Sequence, residues 1–342
     1  MAEQEDPTTR VAGVSGKEPL QQPQTLSRKY ILFPLRYPCC WNFYKRAEAA
    51  FWTSSELDLS VDRADWATLP KPVRHFLSTV LAFFASSDMI VVNNLQEDID
   101  FLKIEIPEIR TFYAFQAAVE AIHTETYCSL IQTIISDESE CTHLFNALDT
   151  MPAVKKKQEW GRQFTNNPER TFTEKLVAFA IFEGLLFAGS FASIYWLRAQ
   201  YPGKMVGLTT SNELIARDES LHCEFAVHLY KKFIVNKLTD SEVHSMIQGA
   251  VDAENEFIDA CLPKDLPQID SASMKEYIHF QANRLCRSLG HSEPYDGASM
   301  PFEWMHAIGL MGKSNFFEKR TTEYARAETV SVNMGAVEDC EF

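Results

Sequence analysis

Residues 178–197 read AFAIFEGLLFAGSFASIYWL, twenty positions with one charge, Glu183, set among Phe, Leu, Ile and Ala. As one helix this stretch is about 30 Å long, enough to cross a bilayer. It can be a membrane helix, a core helix with an oddity, or a helix built around its carboxylate. An unpaired carboxylate in apolar surroundings costs several kcal/mol and usually takes up a proton instead. Whatever compensates Glu183 therefore fixes the fold.

The rest of the chain supplies the partner pattern. VLAFFASSDMIVVNNL (80–95) is a second apolar helix with one acid near its middle, Asp88, and RTFYAFQAAVEAIHTETYCSLIQTII (110–135) follows with Glu120 and His123. After Glu183 comes SNELIARDESLHCEFAVHLYKKF (211–233), with Glu219 and His222. A carboxylate helix followed by a Glu-x-x-His helix thus occurs twice, with acid-to-acid spacings of 32 and 36 residues. Glu and His three apart share one helix face, so both reach the same metal pair. Two such helices and one acid from each of two others build the two-metal carboxylate site of a helical bundle. Four carboxylates and two imidazoles are hard-to-borderline donors, suited to iron or manganese rather than to a thiolate-rich zinc site. Two divalent cations also neutralise the four acids, which answers the question of Glu183.

Composition agrees. The 342 residues are 46% hydrophobic and 23% charged, as in a globular protein with a large core. A net charge of −15 argues against nucleic acid and against anionic membrane surfaces as partners. The start, MAEQEDPTTR, lacks the basic and apolar regions of a secretory signal. Only 178–197 reads as long enough to span a bilayer, and a single-pass protein leaves the similarly apolar 80–95 unexplained, so no membrane is expected. Eight cysteines (39, 40, 128, 141, 223, 261, 286, 340) form no CxxC pair and read as reduced thiols of a cytoplasmic protein. Residues 1–28, rich in Pro, Gln, Gly and Ser, read as a disordered tail; 29–318 read as one helical domain, and 319–342 as a second flexible tail.

Glu-x-x-His alone is weak, since it occurs five times. Glu140/His143 sits in a polar, loop-like stretch, and Glu276/His279 and Glu303/His306 have no helix with a solitary acid ahead of them. Aromatic and apolar residues share the ligand faces: Tyr127 is four past His123, Phe187 and Phe191 are four and eight past Glu183, and Ile215 is four before Glu219. Each alone is ordinary core, while together they describe a tyrosine beside a metal centre, walled off from water. AIGLMGKS (307–314) nearly matches a phosphate-binding loop, but Ala307 stands where the first Gly belongs and no strand precedes it.

With these residues in place, the sequence resembles the small, radical-generating subunit of class I ribonucleotide reductase, most closely its eukaryotic form. The blocks AEAAFWTSSELDLS, FYAFQAAVEAIHTETY, FAGSFASIYWL, SNELIARDESLHCEFA and GKSNFFEKR carry the resemblance, which runs from about Arg28 to Tyr324 and again at Phe342. It implies an all-α, ferritin-like bundle with two iron ions, manganese not being excluded, on Asp88, Glu120, His123, Glu183, Glu219 and His222. By the same resemblance O₂ and the di-iron centre convert Tyr127 to a stable radical inside the pocket of Phe187, Phe191 and Ile215. Trp52 and Asp218, the latter hydrogen-bonded to His123, match the radical-transfer route, and Tyr324 matches the tyrosine that passes the radical onward. Phe342 ends the peptide that docks into the large catalytic subunit, where ribonucleotides become deoxyribonucleotides, and a homodimer is implied. Two segments, 88–120 and 183–219, look slightly longer than in close relatives, as loop insertions that leave the ligands intact. The tail VSVNMGAVEDCEF keeps an acidic, Phe-terminated end with different residues. Ferritin-like metal storage and a di-metal oxidase or desaturase use the same ligand types; Tyr127, Tyr324 and Phe342 speak against both.

Overall fold

A computed structural model describes residues 18–165 and 167–305. Among them there is no strand, and the longer helices are α1 (Pro38–Ala49), α2 (Ser60–Thr68), α3 (Lys71–Glu97), α4 (Pro107–Ile134), α5 (Pro152–Arg162), α6 (Phe172–Ile181), α7 (Ala188–Gln200), α8 (Val206–Phe233), α9 (Asp240–Cys261) and α10 (Ser271–Leu289). The starts follow local chemistry. Pro sits in the first turn of α1, α3, α4 and α5, where its missing N–H costs nothing. Thr171 with Glu174 and Thr239 with Glu242 form capping boxes at the heads of α6 and α9. Gly290 ends α10 at φ 90°, a left-handed conformation that suits glycine.

Helices α3 and α4 pack along their lengths, α8 lies against α6 and α7, and α9 and α10 close the bundle from outside. A single continuous core results, formed by nearly every Phe, Leu, Ile and Val on the inner faces. Both α3 and the run Phe172–Gln200 are long and apolar enough to cross a membrane, so the sequence reading that allowed only the second was too narrow. In the bundle, 72% and 94% of their most apolar windows are buried against protein.

The stretch 178–197 is not one regular helix. α6 ends at Ile181, a π-helical turn covers Phe182–Leu186, and α7 begins at Ala188. Glu183 sits in that turn. Close packing surrounds it: a Cβ on Gly184 would meet Cys223 Sγ at 2.7 Å, and one on Gly161 would meet the Phe182 ring at 2.6 Å.

Two further findings bear on the sequence reading. Cys39 is disulfide-bonded, so the expectation of reduced thiols throughout fails there, whereas Cys40, Cys128, Cys141, Cys223, Cys261 and Cys286 are free. Residues 18–28 fall in the expected N-terminal tail, yet Leu20 is buried and the Glu18 carboxylate accepts the backbone N–H groups of Val235 and Asn236 at 2.9 and 3.2 Å.

Candidate metal centre

α3 brings Asp88, α4 brings Glu120, His123 and Tyr127, the π turn brings Glu183, and α8 brings Glu219 and His222. Each of the six expected ligands is at most 3% exposed. Their donor atoms fall into two groups, Asp88/Glu120/His123/Glu219 and Glu120/Glu183/Glu219/His222, each with all its atoms within 4.8 Å of one another. Glu120 and Glu219 belong to both groups. Two adjacent cation positions joined by two shared carboxylates is the arrangement that four acids and two imidazoles make.

His123 turns Nδ1 to Glu219 Oε1 (2.9 Å) and Glu120 Oε2 (3.1 Å), and Nε2 to Asp218 Oδ2 (3.3 Å). His222 Nδ1 lies 2.9 Å from Glu120 Oε1 and 3.0 Å from Glu219 Oε2. The same ring nitrogen of both histidines therefore faces the acids. Both oxygens of Asp88 and Oε2 of Glu183 are buried without a hydrogen-bond partner. Orphaned carboxylate oxygens aimed into a cage of acids and imidazoles fit a pair of divalent cations.

Electrostatics in the metal-free cage agree. Burial, then the charges of Glu219 and Glu120, push Asp88 and Glu183 well above the usual carboxylate range. Burial also opposes the charge on Glu219, but hydrogen bonds from His123, His222 and Glu183 hold it well below that range. Burial would lower His222, yet Glu120 and Glu219 outweigh it and raise the imidazole to about 9. Protons on these groups do the neutralising that cations do when bound.

Tyr127 stands on α4 one turn beyond His123, fully buried, with no hydrogen-bond partner for its hydroxyl. Burial, followed by the charges of Asp88, Glu219 and Glu120, pushes its phenol well above 10.0. Phe84 stacks on the Tyr127 ring at 4.6 Å and 2°, and Phe191 and Phe187 pack on Phe84 at 4.9 and 5.7 Å. Ile215 is fully buried on the face of α8 that carries Glu219.

On the far side of His123, Trp52 Nε1 donates to Asp218 Oδ2 at 2.8 Å, and the Trp52 and His123 rings stack at 6.0 Å and 21°. Arg217 completes the group, donating to Asp218 Oδ1 at 2.9 Å and to the Ala50 carbonyl at 2.6 Å. Asp218 is thus saturated, and the segment bearing Trp52 is fastened to α8. Glu140/His143 and Glu276/His279 stay outside: the Glu276 carboxylate accepts the Ser299 N–H, His279 stacks on Tyr295, and Glu140 is exposed, while His306 lies outside the described residues. Tyr324, Phe342 and the 307–314 stretch lie outside the described residues.

Sequence reasoning missed three residues. Phe84 is one turn before Asp88, the same backward step that reached Ile215 from Glu219 but was not taken from Asp88. Gln116, one turn before Glu120, donates to Glu120 Oε1 at 3.2 Å and to Glu183 Oε1 at 3.0 Å. Arg217 had no signal beyond its place beside Asp218.

Fold and site together define a ferritin-like helical bundle built around a two-cation carboxylate centre. The chain belongs to the ribonucleotide reductase small-chain family, whose model, "Ribonucleotide reductase, small chain", matches residues 29–301. It is 49% identical over 299 residues to the ribonucleoside-diphosphate reductase small subunit of Dictyostelium discoideum, covering 87% of each protein. It is 45% identical to one of the ribonucleoside-diphosphate reductase small chains of Arabidopsis thaliana, over 95% of this protein and 93% of that one. Among solved structures it is similar to the ribonucleotide reductase Rnr4 homodimer of Saccharomyces cerevisiae, with TM-score 0.70 and 28% identity over 84% of this chain and 91% of that one. The dimanganese(II) NrdF of Streptococcus sanguinis shares the fold, with TM-score 0.63 and 19% identity over 79% of this chain and 95% of that one.

Proposed function

We propose that this chain is the radical-generating small subunit of a ribonucleoside-diphosphate reductase, holding two iron ions and carrying its radical on Tyr127. The observation that carries the reading is the pairing of a six-ligand cage with a buried, unbonded tyrosine one helical turn from a ligand. Iron is proposed over manganese on the family resemblance, since the donor set accepts both.

Asp88, Glu120, His123, Glu183, Glu219 and His222 are proposed as the residues that would hold the two metals. With O₂, the bound metals supply the one-electron oxidation. Tyr127 would be the residue oxidised, its electron and phenolic proton passing to the O₂ that is reduced; burial holds the phenol neutral beforehand. The wall of Phe84, Phe187, Phe191 and Ile215 keeps water and reductants from the radical. Asp218 holds His123 Nε2–H and Trp52 Nε1–H on one oxygen, which fixes the imidazole tautomer and joins the cage to Trp52. Trp52 and Tyr324 are proposed to relay the radical to the large subunit, which reduces the ribose 2′ position, and the Phe342 tail to dock there. A bundle of residues 29–318 between two tails, a homodimer and a cytoplasmic place of action complete the proposal.

The test is an electron paramagnetic resonance spectrum after ferrous iron and O₂ are added to metal-free protein, with Tyr127→Phe alongside. A tyrosyl signal in wild type and none in the variant, at equal iron uptake, is expected. Iron uptake with no radical in either protein overturns the reading and favours storage or an oxidase.

A further inference from the structure

A second set of charges lies buried in the bundle, away from the metal centre. Lys157 on α5 and Glu254 on α9 are both fully buried, with Nζ 3.1 Å from Glu254 Oε1. The ammonium makes that one ion pair and otherwise faces two aromatic rings, Phe83 at 3.4 Å and Phe257 at 4.2 Å from their centroids. Glu254 Oε2 is buried without a hydrogen-bond partner, and it points at α7, where a Cβ on Gly189 would stand 3.4 Å from it. Apolar residues of similar volume commonly replace such a pair without loss of stability, so stability alone does not account for it.

Its neighbours do. Phe83 packs on Phe84 at 5.7 Å and on Phe187 at 5.8 Å, and Phe187 packs on Phe191 at 5.9 Å. Phe84 is the ring stacked on Tyr127, and Gly189 lies between Phe187 and Phe191 on the chain. The pair therefore touches the tyrosine pocket's wall from two sides, through the face of Phe83 on α3 and through the backbone of α7. A desolvated cation over a ring holds that ring by its face, a directional contact that an aliphatic side chain cannot supply. We propose that Lys157 and Glu254 are positioning residues that lock the aromatic wall around Tyr127 in one arrangement.

The first readout does not need metal and is independent of the function proposed above. The full chain is labelled with 3-fluorotyrosine, and the Tyr127 line in the ¹⁹F NMR spectrum of metal-free protein is assigned by its loss in Tyr127→Phe. In Lys157→Met/Glu254→Gln, which keeps volume and leaves no lone charge, the Tyr127 line is expected to shift and split, while the Tyr230 and Tyr295 lines stay. The control is Lys156→Met/Glu256→Gln, which removes a half-exposed ion pair beside the buried one, and it should leave Tyr127 unmoved. A Tyr127 line coincident with wild type in the buried-pair variant overturns the proposal. If that variant does not fold, Glu254→Gln alone, identical in volume, is read by the same criterion. The second readout rests on Tyr127 as the radical site: the radical of the variant should decay several-fold faster with altered hyperfine splitting. A wild-type protein that forms no radical counts against that site and leaves the NMR result standing.

Discussion

Asp218 shows how much one buried carboxylate settles. It is not among the six expected ligands, yet one of its oxygens serves both His123 and Trp52 and the other is held by Arg217. Burial opposes its charge, but the hydrogen bond from His123 and the charge of Arg217 keep it below the ordinary carboxylate range. Asp218→Ala would free the His123 ring to turn and leave the Trp52 N–H without an acceptor. Metal affinity should fall about 10- to 100-fold, as when a partner that orients a ligand histidine is lost, and titration calorimetry with ferrous iron would measure it. Unchanged affinity would mean that packing alone holds His123. That the six candidate ligands would gather in one cage was legible because a doubled motif at matched spacing has few structural causes. Phe84 and Gln116 were missed although they obey the same one-turn spacing, because a single Phe or Gln one turn from an acid reads as ordinary core, whereas Phe187 and Phe191 stood out as a pair.

At the level of elements, α8 carries two of the six candidate ligands, so its position fixes a third of the cage. Its first turn is capped from another helix: Asp62 on α2 accepts the N–H groups of Gly207 at 2.9 Å and Leu208 at 2.7 Å. Asp65 accepts the Met205 N–H at 3.1 Å, where Met205 takes a left-handed φ of 52° to turn into the helix. Asp62→Ala should cost about 2 kcal/mol, for two buried donors lose their acceptor, and a urea melt with unchanged slope would register it. Loss under about 0.5 kcal/mol would mean that water takes over the cap. At the head of α9, Asp240 accepts from the Ser292 hydroxyl and from His291 Nδ1, which bring its pKa from 3.8 to about 2. Since the folded pKa lies below the unfolded one, the contribution is present above pH 3.8 and is lost as pH falls through about 2. Asp240→Asn should flatten this acid limb of stability, read from denaturation midpoints between pH 4 and 2, and an unchanged limb would assign it to other carboxylates. None of these caps showed in the sequence, because partners separated by 145 or 51 residues have no local spacing. The π turn was hidden for a related reason. Its register is set by what Gly184 and Phe182 meet on α8 and α5, while the local text reads as unbroken helix.

For the molecule as a whole, the fold class followed from helical periodicity and from the need to compensate lone acids in apolar helices. The enclosing shell did not. α5, α9 and α10 carry no ligand and read as ordinary amphipathic text, though with them the bundle buries the ligands to 3% exposure or less. That closure has a kinetic consequence. A cation cannot reach donors that solvent does not touch until some part of the shell opens, and such local openings have their own rates. Uptake of ferrous iron by metal-free protein, followed by stopped-flow absorbance, should therefore rise with metal concentration only at first. It should then level off at a ceiling that belongs to the protein, the frequency with which the bundle opens. Uptake that stays proportional to concentration throughout would mean that an entry path stands permanently open. With a ceiling, the speed of assembling the centre is a property of how the chain breathes, and changes far from any ligand can set it.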